Sequence, residues 1–131
     1  MDGVHAVTDV TGFGLLGHTL EICRGSGLTA EIGAQPPLLA GVETLASAGV
    51  RTGASGRNWA SYGEAVRLPD DLPEWRRDLL CDPQTSGGLL IAVAAGQADA
   101  VLALARGQGF GASAIVGRLS SGPAEVRVGG A

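Results

Sequence analysis

No lysine occurs anywhere in the 131 residues; all nine basic residues are arginine. A P-loop needs a lysine to reach the phosphates, so the chain holds no self-contained P-loop. Any phosphate-binding or catalytic lysine must come from outside it. Basic charge is also outnumbered, with nine arginines against 13 acidic residues and a formal net charge of −4. A basic stripe of the kind that tracks a nucleic-acid backbone is absent, and no nucleic-acid partner is expected. Single arginines remain able to meet the phosphates of a small nucleotide. Aromatic residues make up only 4% of the chain, and there are two cysteines. Cys23 falls on an apolar helical pattern and Cys81 in an apolar run, far apart and without CxxC spacing. Both read as buried packing thiols rather than as a disulfide or a reactive pair. No apolar segment is long enough to span a membrane. Residues 1–8 lack the basic stretch and long apolar run of a signal peptide. The expectation is a cytoplasmic protein with no membrane partner.

What is present is enough for a core. Apolar residues are 45% of the chain and glycine contributes 22 residues. The core must be built from Leu, Val, Ile and Ala, with many tight turns. The length is that of a single domain spanning 1–131, with no internal repeat, low-complexity tract or linker. A short strand is expected over His5–Thr8. Leu15, Leu16, Thr19, Leu20 and Cys23 then mark one face of a helix near 13–24, stopped by Gly25 and Gly27. Leu28–Ile32 alternates as a strand. Pro36-Pro37 opens a predicted helix over 38–48 with Leu38, Val42 and Leu45 inward, and Gly49 ends it. Thr52–Gly63, rich in Gly, Ser and Asn, reads as a long loop, and Pro69–Pro73 as a charged, exposed turn. Leu89–Ala94 is a continuous apolar run typical of a buried strand. A helix over 97–108 follows, with Val101, Leu102, Leu104 and Ala105 inward. Ala112–Leu119 and Glu125–Val128 are the closing strands, joined by a turn at Ser120-Ser121-Gly122-Pro123. This order predicts an α+β fold, a mixed or mostly antiparallel sheet covered by helices.

Two glycine-rich turns carry the chemistry. In Asp9-x-Thr11-Gly12-Phe13-Gly14 a strand delivers a carboxylate, and glycines permit unusual backbone angles just before a helix. Helix N-termini present unpaired N–H groups to phosphate oxygens. Mg²⁺ is typically held by one or two carboxylates plus substrate phosphates. The plainer reading makes Thr11 an N-cap and Asp9 a turn residue. Thr85-Ser86-Gly87-Gly88 could cradle an anion or serve only as a strand entry after Asp82-Pro83. Arg57, beside Asn58, could bind a phosphate or carboxylate, or simply be exposed while Trp59 and Tyr62 pin the loop. His5 and His18 fit no metal-ligand pattern, and His18 reads as a packing or surface residue. No Ser–His–Asp or Cys–His arrangement can be argued from these spacings.

Taken together, Thr8-Asp9-Val10-Thr11-Gly12-Phe13-Gly14-Leu15-Leu16-Gly17-His18 and Cys81-Asp82-Pro83-Gln84-Thr85-Ser86-Gly87-Gly88-Leu89-Leu90 resemble two signature stretches of the selenide, water dikinase (selenophosphate synthetase) family. Arg57-Asn58 with Ala60-Ser61-Tyr62-Gly63 resembles a third. The family belongs to the aminoimidazole ribonucleotide synthetase superfamily and makes selenophosphate, AMP and phosphate from ATP, selenide and water. The resemblance implies the α/β/α-layered C-terminal domain of such an enzyme, here without the N-terminal domain used for dimerisation and most ATP contacts. It implies Asp9 as a ligand to Mg²⁺, and Thr11, Gly12, Thr85, Ser86 and Gly87 as residues near the nucleotide. The family's catalytic Cys or Sec, its neighbouring Lys and its N-terminal glycine-rich segment have no counterpart here, so no catalytic residue is assigned to this chain. The chain is expected to be inactive alone, with the N-terminal domain or a split chain as its partner and a homodimer as the full-length form. A superfamily relative with another acceptor, or a non-catalytic binding module, are the alternatives.

Overall fold

The computed structural model describes residues 3–85 and 87–129. Its elements in chain order are β1 (Val4–Asp9), α1 (Gly14–Ser26), β2 (Leu28–Ile32), α2 (Val42–Ser47), α3 (Gly53–Tyr62), β3 (Val66–Arg67), α4 (Glu74–Leu80), β4 (Leu89–Val93), α5 (Ala98–Gly107), β5 (Gly117–Ser121) and β6 (Val126–Val128). The fold is α+β. Strands β3, β6, β2 and β5 form a mixed sheet in that order, and β1 pairs with β4 in a separate two-stranded ladder. In the larger sheet β2 runs antiparallel to β5 and parallel to β6, and β3 is parallel to β6.

The core lies where α1 covers this sheet. Leu16, Leu20 and Cys23, spaced to share one helical face, pack with Ala30 and Ile32 of β2, Val66 of β3, and Val126 and Val128 of β6. Fully burying a leucine such as Leu16 or Leu20 removes enough apolar surface from water to contribute about 1.5–3 kcal/mol. Helix α1 ends as its glycines predict: Gly27 takes φ +67° and returns its N–H to the Cys23 carbonyl. Tyr62, Leu80 and Cys81 close the core on the side of the glycine-rich turns.

Cys23 and Cys81 are both free and wholly buried, as the sequence pattern indicates. Burial pushes both thiols above their ordinary range because the thiolate would lose its hydration. Neither should therefore react with an aromatic disulfide reagent at neutral pH in the native chain, whereas denaturant should release both. A thiol that titrates at the rate of free cysteine before unfolding would contradict this packing.

Several expectations are corrected. The helix foreseen over 38–48 shrinks to Val42–Ser47, because Gly41 at its start sits at φ +84°. Its supposed inward face is not buried, with Leu38 37% and Leu45 56% exposed. The predicted loop Thr52–Gly63 is instead helix α3. Its Gly, Ser and Asn content gives it little intrinsic helicity, but Ser55 and Tyr62 are buried and hold it by packing. Helix α4 follows the Pro69–Pro73 turn, with Pro73 as N-cap and Glu74 in the first turn. The last helix runs Ala98–Gly107 behind a short 3₁₀ turn, and Leu104 faces out, 54% exposed. The strand placed at Ala112–Leu119 is formed only from Gly117, where a side chain would strike the Glu31 carbonyl oxygen. Finally, β4 is not buried: Leu89 and Ile91 are 62% and 38% exposed.

Candidate functional site

Strand β1 and the antiparallel strand β4 bring the two glycine-rich turns together. Asp9 stands opposite Leu89 at the end of the ladder. One residue on, the Val10 N–H donates to the Gly88 carbonyl at 2.9 Å, and the Gln84 N–H donates to the Thr11 carbonyl at 3.0 Å. More than seventy residues of sequence separation are thus closed by backbone bonds between the motifs themselves. The approach is close enough that a Cβ on Gly87 would land on the Val10 carbonyl oxygen. Gly14 is fixed twice over, by φ +73° and by a Cβ position 2.6 Å from the carbonyl carbon of Cys81. Gly12, by contrast, has open space around its Cβ position, so the turn leaves it free to face a ligand.

Helix α3 pins this arrangement. The Asn58 side-chain amide donates to the carbonyls of both Gly12 and Cys81 at 2.9 Å, tying the first turn to the start of the second. Tyr62 donates its hydroxyl proton to the Phe13 carbonyl, and buried Ser55 donates to Asp82 Oδ1 at 3.1 Å. Ser55, Asn58 and Tyr62 recur at i, i+3 and i+7, the spacing of one helical face. That spacing of polar residues is the signal that a composition-based loop assignment overlooks. Arg57, on the neighbouring position, is exposed.

Thr11 is not an N-cap. The residue at the head of α1 is Phe13, and no side chain caps the helix there. The Thr11 hydroxyl instead meets Nε2 of His18 at 3.0 Å. His18 is buried at 5% exposure, which settles its place in the interior rather than on the surface. Its Nδ1 lies 3.4 Å from a Glu21 carboxylate oxygen yet makes no hydrogen bond, so the carboxylate is near in charge but not aligned. The Thr11 hydroxyl and Nε2 share one hydrogen bond, its donor set by the tautomer of the ring. His18 therefore orients the hydroxyl of the first turn, a role the sequence does not reveal.

Asp9 is exposed, as are Thr11, Gly12, Thr85 and Gly87. Ser86 lies outside the described residues. At the head of α1 the Gly14 N–H donates to the Thr11 carbonyl at 3.1 Å, which folds the Thr11-Gly12 turn against the start of the helix. Among the described residues no three His, Cys, Asp or Glu side chains gather as a metal site. Asp9 is a single exposed carboxylate beside the glycine-rich Thr11-Gly12 turn. Such a donor fits one corner of a Mg²⁺ shell whose other ligands are phosphates, water and groups from elsewhere.

Residues 1–129 match the family model described as AIR synthase related protein, C-terminal domain. The chain is 60% identical over 129 residues to a protein named "Selenide, water dikinase" from Burkholderia orbicola. It is 60% identical over 130 residues to the protein of that name from Burkholderia pseudomallei, and 53% over 130 residues to that from Pseudomonas straminea. In each case 98% of this chain is covered but only 36% of the relative. The chain belongs to the family of AIR synthase related C-terminal domains.

Proposed function

We propose that this chain is the C-terminal part of a selenide, water dikinase, in which it completes the Mg-ATP site for making selenophosphate, AMP and phosphate from ATP, selenide and water. The observation that carries this reading is the joining of the two signature turns at Val10–Gly88 and Thr11–Gln84 beside the exposed Asp9. Relatives bearing that enzyme's name are similar along almost the whole chain.

In this reading Asp9 holds Mg²⁺ from one side. When bound, the metal supplies positive charge to the transferring phosphates, the main requirement of phosphoryl transfer. Thr11, Gly12, Thr85, Ser86 and Gly87 line the nucleotide side. His18 fixes the Thr11 hydroxyl, and Asn58 fixes the Gly12 backbone, so the turn meets its ligand already ordered. No residue of this chain attacks a phosphorus atom or carries selenium. Those tasks, and the missing lysine, fall to the N-terminal portion, and the assembled enzyme is a cytoplasmic homodimer. No helix of the described residues is long and apolar enough to cross a membrane.

Incubating the pure chain with ATP, Mg²⁺ and selenide should yield no AMP above a protein-free blank. Sustained AMP formation by the chain alone would overturn the half-site reading.

A further inference from the structure

Strand β4 reads Leu89-Leu90-Ile91-Ala92-Val93, apolar at every position. Such a run is the composition of a strand covered on both faces. One face of it is nevertheless open. Leu89 and Ile91 are exposed, and so is Val7 on β1, 55% exposed and directly opposite Ile91. Asp9 stands on the same face, opposite Leu89. Among the described residues the ladder has two strands, a structure that is marginal in water without a third strand or a packed layer. A contiguous apolar patch rimmed by a polar site marks an interaction surface.

We propose that this face of the β1–β4 ladder, carrying Val7, Leu89 and Ile91, seats the N-terminal portion that selenide, water dikinases carry ahead of this domain. The inference rests on the function proposed above and names the surface through which the missing part joins. Three observations favour that occupant over another. The relatives extend well beyond the matched region, which covers 36% of their length, and the matched family is a C-terminal domain. Strand β1 lies at the start of the region matched to that C-terminal domain, so a portion ahead of the domain meets this face first. The chain also lacks lysine altogether, and a partner seated on Val7 and Ile91 stands within reach of Asp9, where phosphate-binding cations are needed. Exposed apolar residues elsewhere, such as Leu39 before α2 and Phe110 after α5, adjoin no such site.

Thiol labelling tests the surface without depending on activity. Ile91→Cys, Val7→Cys and, as a control, Leu39→Cys are made in this chain and in a chimera joining it to the preceding portion of the Burkholderia orbicola relative. The parent proteins without these changes supply the background, and the two native thiols are buried. Cysteines at 7 and 91 should react with a maleimide rapidly in the isolated chain and at least about tenfold more slowly in the chimera, following accessibility. The control should react equally in both. Equal labelling of position 91 in chain and chimera would overturn the proposal. So would slow labelling in an isolated chain that sediments as a dimer, because a second copy would then own the face. A chimera that protects position 91 but forms no selenophosphate would sink the functional reading and leave the docking surface standing.

Discussion

Asp9→Asn, introduced into a full-length protein carrying this domain, should lower selenide-dependent AMP formation by two or more orders of magnitude while changing stability by less than about 1 kcal/mol. The asymmetry follows from where the residue sits. Asp9 ends β1 with its side chain in solvent and no hydrogen bond or ion pair to another described residue, so the fold loses little when the charge goes. A metal shell shared with phosphates loses a great deal, because charge neutralisation dominates phosphoryl transfer. If Asp9 were merely a turn residue, the same variant would keep nearly full activity whatever its melting temperature. Steady-state kinetics and urea unfolding on one purified variant separate the two outcomes.

The second large effect is expected at Gly14. Placing a methyl group there forces a left-handed conformation on alanine and drives a carbon to 2.6 Å from the Cys81 carbonyl carbon and 2.7 Å from its oxygen. Both neighbours are backbone, which cannot rotate aside. Gly14→Ala should therefore destabilise the chain by about 3 kcal/mol or more, in the range reserved for steric and backbone faults. Gly27 provides the control, since it has a similar φ of +67° but open space around it. Gly27→Ala should cost only the left-handed penalty, about 1–2 kcal/mol. Equal losses for the two variants would show that the junction of the two turns is not tightly built.

Why some of this architecture is readable from residues and some is not has a physical basis. Helix α1 and strand β2 are legible because their apolar spacing is also their packing: Leu16, Leu20 and Cys23 are the core. The glycine-rich turns are legible because their backbone angles and close approaches demand glycine at Gly14 and Gly87. Helix α3 is hidden because it is held by Ser55, Asn58 and Tyr62 through hydrogen bonds and burial, while its own composition favours a loop. The role of His18 is hidden for a related reason. Its partner Thr11 lies outside the helix, seven residues back, where helical periodicity says nothing. Strand β4 misled in a more useful way. Its all-apolar sequence predicts burial, and the exposed face marks where a covering layer is missing.

The proposal that the chain is the C-terminal part of a selenide, water dikinase meets its most direct test in a substitution of parts. The matched region of the Burkholderia orbicola relative is replaced by this chain, and selenide-dependent conversion of ATP to AMP is followed together with the appearance of selenophosphate by phosphorus NMR. With 60% identity across the exchanged region and both turns intact, the chimera should make selenophosphate at a rate within about tenfold of the parent, a change of roughly 1.4 kcal/mol in the barrier. A chimera that folds and binds ATP yet produces no selenophosphate would contradict the assignment.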